Sequence, residues 1–210
     1  MRIPADSVEL EGTLEIPERA IGVVLFAHGS GSSRLSPRNV YVAAMLRQSA
    51  IGTLLFDLLT EDEAQDRQKV FDVNLLAERL LAATEWVRQQ DAARGLSIGY
   101  FGASTGAAAA LIAAATDPAI DAVVSRGGRP DLAGRALLNV RAPTLLIVGG
   151  EDHVVIELNR QAFQFLPGEK ELAIIPGASH LFEEPGTLQQ LVGLARDWFL
   201  RHLKGRVRYH

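Results

Sequence analysis

Six stretches of strand length recur along this chain: GVVLFAHG, GTLLFDLL, SIGYFGAS, DAVVSRGG, PTLLIVGGED and KELAIIPGASH, several of them apolar from end to end. A strand with one wet face alternates apolar and polar residues, so a run without alternation must be covered on both faces. Such runs predict a mostly parallel sheet between two layers of helices. The sequence between them supplies the helices. Apolar residues fall at spacings of three and four over 39–50 and 72–90, with Asp72 placed as an N-cap for the second. The stretch 105–117 is rich in alanine, and IELNRQAFQFL and TLQQLVGLARDWFLRHL complete the set. The expectation is an α/β chain folded as a three-layer α/β/α sandwich. Right-handed crossovers then bring the C-terminal ends of the parallel strands to one edge, where ligands bind in such sheets.

Three other segments read differently. VELEGTLEIP alternates and is expected as a half-exposed antiparallel edge strand. The polar stretch 61–69, EDEAQDRQK, reads as a solvated connector. The chain is expected as a single domain over 1–210, with 204–210 a loose basic tail.

With 210 residues the chain is long enough to bury a substantial core. Its 21 basic and 25 acidic residues give a net charge of −4 with no basic stripe, which sets nucleic-acid binding aside. There is no cysteine, so disulfides, thiolate metal sites and a cysteine nucleophile are excluded. The opening MRIPADSVELEG lacks the apolar run of a secretory signal, and the longest nearly uncharged runs meet Gly, Asp or Ser well before the ~20 residues of a membrane span. A cytoplasmic protein is expected, monomer or homodimer, with a small-molecule substrate, no nucleic-acid or membrane partner, and no metal or cofactor.

One junction carries chemistry. Gly102-Ala103-Ser104-Thr105-Gly106 is G-x-S-x-G, preceded by an apolar run and followed by a helical one. In a strand–turn–helix setting this pattern makes a sharp turn that exposes the serine hydroxyl at the sheet's ligand edge. The helix N-terminus beneath it favours developing negative charge. A serine can also simply cap a helix. What separates the two roles is a base, since a serine hydroxyl is a poor nucleophile without one.

The chain supplies an acid and a histidine in the required places. PTLLIVGGEDHVV ends on Asp152, and LAIIPGASH ends on His180. The order Ser104, Asp152, His180 matches strand–loop positions that can converge on one edge. Glu151 or Asp131 could replace Asp152 as the group that orients the imidazole. An oxyanion site would draw on the Thr105 amide and a second amide from the loop His28-Gly29-Ser30-Gly31-Ser32, assigned to Ser30, with Gly29 and Gly31 as alternatives. His28 reads as a structural hydrogen-bonding residue.

His28-Gly29-Ser30, the Ser104 junction, Asp152 and His180 together resemble the α/β-hydrolase superfamily, in its small dienelactone-hydrolase-like branch. The resemblance runs over roughly residues 8 to 203. It implies an eight-stranded, largely parallel sheet and hydrolysis of esters or lactones without a cofactor. That branch proper carries cysteine at the turn; here the residue is Ser104, so the resemblance implies a general serine esterase acting on small carboxylic esters or lactones. Only RPDLAGRALLNVRA (129–142) separates the expected strands DAVVSRGG and PTLLIVGGED, which leaves room for a short helix and no cap domain. Arg126 and Arg34 are candidates for holding a substrate anion. Thioester hydrolysis, acyl transfer or peptide cleavage would use the same three residues, and a catalytically silent binding module is the alternative outside enzymes.

Overall fold

Along the strand Gly22–Ala27 (β3), side chains leave alternately to two faces, and both faces are dry. Val23, Leu25 and Ala27 enter one apolar cluster, while Val24 and Phe26 enter another. The computed structural model describes residues 1–205, in which the sheet holds eight strands. Besides β3 these are β1 (Arg2–Ala5), β2 (Val8–Glu15), β4 (Ile51–Phe56), β5 (Ser97–Ala103), β6 (Ala122–Arg126), β7 (Thr144–Gly149) and β8 (Lys170–Ile175). Their order is β1-β2-β4-β3-β5-β6-β7-β8, antiparallel at β1–β2 and β2–β4 and parallel from β4 onward.

The helices are α1 (Pro37–Gln48), the single turns α2 (Glu61–Ala64) and α3 (Arg67–Val70), α4 (Val73–Gln89), α5 (Thr105–Thr116), α6 (His153–Phe165) and α7 (Thr187–His202). Helices α4 and α5 cover one face of the sheet through Leu76, Leu80, Val87 and the alanines 108–110. Helices α1 and α7 cover the other through Val42, Leu46, Leu191, Trp198 and Phe199. Large apolar side chains of this kind each contribute roughly 1.5–3 kcal/mol when buried. The alanines of α5 let that helix lie directly on the strands. Asp72 caps α4 as its sequence implies, accepting from the amides of Asn74 and Leu75. The expected three-layer sandwich is the observed fold. No cap domain interrupts β6 and β7, which are joined across a 3-10 segment, Pro130–Asn139, broken at Gly134.

Two local expectations are corrected. The alternating strand β2 is not the edge, because Arg2–Ala5 pairs with it and takes that position. Residues 61–69 are not a plain solvated connector. Thr60 and Glu63 form a reciprocal capping box, and Glu63, 9% exposed, meets the buried Arg79 of α4 at 3.0 Å. Arg79 also donates to the Ala5 carbonyl at 2.6 Å, so the segment ties α4 to the sheet's edge. Of the expected tail, Lys204 is anchored through its carbonyl to the Ser97 hydroxyl at 2.8 Å, and residues 206–210 lie outside the described residues.

Candidate active site

The C-terminal ends of the parallel strands gather the chemistry. Strand β3 leads into the loop of Gly29 and Ser30, β5 into Ser104, and β6 ends on Arg126. Strand β7 leads to Asp152 and β8 to His180.

Ser104 occupies φ 50°, ψ −122°, a conformation that non-glycine residues avoid. The surroundings hold it there. Its amide donates to the Arg126 carbonyl at 3.3 Å, and its own carbonyl accepts from the Ala107 and Arg129 amides at 3.1 Å each. Strain persists only where the neighbouring structure over-determines it, as here. The flanking glycines are steric requirements. A Cβ on Gly102 would lie 2.5 Å from Ala107 Cα, and one on Gly106 would be driven into the carbonyl oxygens of Ala27 and His28.

Ser104 stands at the N-cap position of α5, yet its side chain makes no capping hydrogen bond. The same is true of Asp152 at the head of α6. Capping therefore accounts for neither residue type. The Asp152 carboxylate instead reaches His180, with Oδ2 at 2.6 Å from Nδ1. An ionised carboxylate only accepts, so Nδ1 carries the proton and Nε2 keeps its lone pair. Neither Glu151 nor Asp131 takes this place; Asp131 pairs with Arg129 through two hydrogen bonds.

The loop bearing His180 is itself pinned. The Ser179 amide donates to Glu184 Oε2 at 3.0 Å, and the Ala178 carbonyl accepts from the Glu151 amide at 3.0 Å. The Ser179 amide holds the Glu184 carboxyl below its usual range. Ser104, His180, Ser30, Arg38 and Arg126 line one open pocket, with Leu35 and Leu181 also on its wall. No hydrogen bond joins the Ser104 hydroxyl to the imidazole among the described residues. Such bonds are often long in an empty site and tighten when substrate arrives.

The Ser30 amide, expected as an oxyanion donor, is not free in this structure: it donates to Thr105 Oγ1 at 3.1 Å. The Thr105 amide heads α5, where an N–H has no acceptor within its own helix. Arg34 departs from expectation too. It lies outside the Ser104 pocket, in a neighbouring groove, where its guanidinium pairs with Glu11 and Asp57 and its amide donates to Asp57. Two carboxylates already occupy it, so it is not available as an anion site.

Arg126 does line the pocket of Ser104. Burial and the nearby Arg38 charge push its pKa down to about 10. His28 begins the loop of Gly29 and Ser30. Its Nε2 accepts from the Leu58 amide at 3.0 Å, which places the ring proton on Nδ1 facing the Gly29 carbonyl, also at 3.0 Å. Burial pushes its pKa down, against the smaller opposing effects of Gly29 and Asp57. Arg38, Glu183 and Glu184 escape a sequence reading, because each looks like an ordinary surface charge until the chain folds.

Known proteins fit this architecture. A family model described as the dienelactone hydrolase family matches residues 40–192. A dienelactone hydrolase from Anabaena variabilis is 54% identical, with a TM-score of 0.94 over 97% of each chain. Est1E from Butyrivibrio proteoclasticus is 17% identical with a TM-score of 0.81, covering 96% of this chain and 97% of its own, and so shares the fold. A Mycobacterium tuberculosis protein provisionally named a phosphoribosyl transferase is 57% identical over 207 residues. That match takes in 98% of this chain but 46% of the relative, so the chain spans about half the length of the curated relatives it matches.

Proposed function

The chain belongs to the dienelactone hydrolase family, and we propose that it acts there as a serine hydrolase that cleaves small carboxylic esters or lactones through an acyl-enzyme on Ser104. The observation that carries this reading is the His180–Asp152 hydrogen bond of 2.6 Å beside a strained, uncapped Ser104 in the same pocket.

The proposed sequence follows from the proton positions. His180 Nε2 takes the Ser104 proton as the oxygen attacks the carbonyl carbon. Asp152 fixes the tautomer and stabilises the imidazolium. The oxyanion is held by the Thr105 amide and by the Ser30 amide, which the Thr105 hydroxyl keeps in place at the mouth of the site until the oxyanion takes it over. One such donor lowers the barrier by roughly 3 kcal/mol. The alcohol leaves with the proton from His180, and water then releases the acyl group by the same route. Without a cap domain the pocket is open, which suits small or accessible acyl groups over buried lipid chains.

The name carried by the mycobacterial relatives describes chains about twice this length. The Asp152–His180 pair beside Ser104 is an arrangement that acyl transfer uses, so we attach hydrolysis to this span. The test is Ser104→Ala against 4-nitrophenyl acetate. The reading expects turnover to vanish into the uncatalysed rate; an alanine variant as active as wild type contradicts it.

A further inference from the structure

Asn159 is a polar side chain sealed inside the protein. It lies two turns into α6, the helix that Asp152 heads, and none of its surface is exposed. Its Nδ2 donates to the Gly128 carbonyl at 3.0 Å and to the Val155 carbonyl, one turn back in the same helix, at 2.8 Å. A carbonyl only accepts, so the amide nitrogen must face both. Its Oδ1 is buried with no hydrogen-bond partner among the described residues. A buried acceptor without a donor opposes folding, and a leucine, branched at the same carbon, would avoid that penalty. What the amide adds is a bond to Gly128, 31 positions away along the chain.

The segment held by that bond, Gly127-Gly128-Arg129, touches the proposed catalytic residues. The Gly127 amide donates to the Ile147 carbonyl of β7 at 2.8 Å. Gly127 has φ 49°, and a Cβ there would lie 3.4 Å from both Nδ1 and Cε1 of His180, so its backbone borders the imidazole directly. The Arg129 amide donates to the Ser104 carbonyl at 3.1 Å, one of the bonds that keep that residue in its strained conformation. Asp152 stands at the head of the helix from which Asn159 reaches out. One buried amide thus ties the helix of the acid to the segment that braces both the base and the nucleophile.

We infer that Asn159 is a positioning residue: through Gly128 it fixes segment 127–129, and with it the relative placement of Ser104, His180 and Asp152. This rests on the hydrolytic reading above and adds the means by which that arrangement is held. Asn159 is sealed from the pocket and meets no substrate. Its loss therefore slows the chemical step, which depends on placement to within about 1 Å, and leaves substrate binding nearly as it was.

Two variants test it. Asn159→Leu keeps the branched shape and removes both bonds. Asn159→Ser is too short to reach Gly128, while its hydroxyl can still bond the Val155 carbonyl, as serines in helices do. It decides the matter if Asn159→Leu does not fold. In both, kcat for 4-nitrophenyl acetate is expected to fall about 10–100-fold, with KM within about twofold of wild type. Hydrogen exchange, followed by NMR at single amides, is expected to quicken at least about tenfold at Gly127 and Arg129 and to keep wild-type rates in β3 and β4. A residue that only stabilised the fold would lower Tm and quicken exchange throughout. The proposal is overturned if, in the variants that fold, kcat or the exchange at these two amides stays at the wild-type value, or exchange quickens evenly over the sheet. The same exchange, measured in Ser104→Ala with and without Asn159→Leu, needs no turnover. Ser104→Ala as active as wild type sinks the hydrolytic reading, whereas unchanged exchange at Gly127 and Arg129 sinks the tie.

Discussion

The Ser30 amide donates to the Thr105 hydroxyl at 3.1 Å, joining two residues 75 positions apart across the mouth of the proposed oxyanion site. Thr105 thus has two parts: its amide faces the site from the head of α5, and its side chain holds the opposite wall. Thr105→Val keeps the shape and removes the hydroxyl. The loop 29–33 then loses its tie to α5 and the Ser30 amide drifts. The expected result is a fall in kcat of up to about tenfold, in line with ~1 kcal/mol for one hydrogen bond. Steady-state kinetics on a neutral nitrophenyl ester checks this, and an unchanged kcat would show the tie to be dispensable.

Asp152 fixes the proton of His180 on Nδ1. Asp152→Asn offers that nitrogen an amide that can donate and so favours the other tautomer, which has no lone pair for the Ser104 proton. The expected loss in kcat is about 10³–10⁴-fold, the scale of such a tautomer error in serine hydrolases generally. An asparagine variant within tenfold of wild type would mean that the carboxylate does not orient a base.

His28 makes a prediction for stability instead of rate. Its Nε2 is an acceptor for Leu58, so a second proton would break that bond inside a buried site. Burial holds the folded pKa below the unfolded value of about 6.5. The stabilisation is complete above that value and is lost as pH falls through the folded one, because only the unfolded chain then takes up the proton. His202, also pushed down by burial, adds to the same trend. Tm should fall as pH drops from about 7.5 to about 5, and His28→Gln, which keeps an acceptor for Leu58 but cannot titrate, should show a shallower fall. Equal slopes in the two proteins would remove His28 from the explanation.

How far the sequence foretold this molecule depends on the range over which each signal acts. Strands β3 to β7 announce themselves because burial on both faces writes an unbroken apolar run into the local sequence. Ser104 directly follows such a run, and Asp152 and His180 stand on the short loops after β7 and β8, whose ends the parallel topology sends to the same edge. Arg2–Ala5 is four residues with a proline and carries no period, so its edge position becomes visible only through pairing with β2. Glu63 is polar in sequence and buried in space because Arg79, sixteen residues on, meets it there. Arg34 and Arg126 look alike as isolated arginines. One finds Glu11 and Asp57 and the other finds no acid among the described residues, a difference made entirely by distant partners.

Every step of the proposed reaction requires Ser104 to be a nucleophile activated by His180. Labelling the protein with a fluorophosphonate and mapping the adduct by mass spectrometry tests it most directly. The account predicts a single covalent adduct on Ser104, absent in Ser104→Ala and greatly slowed in His180→Ala. A protein that stays unlabelled at Ser104, or a His180→Ala variant labelled as fast as wild type, would contradict it.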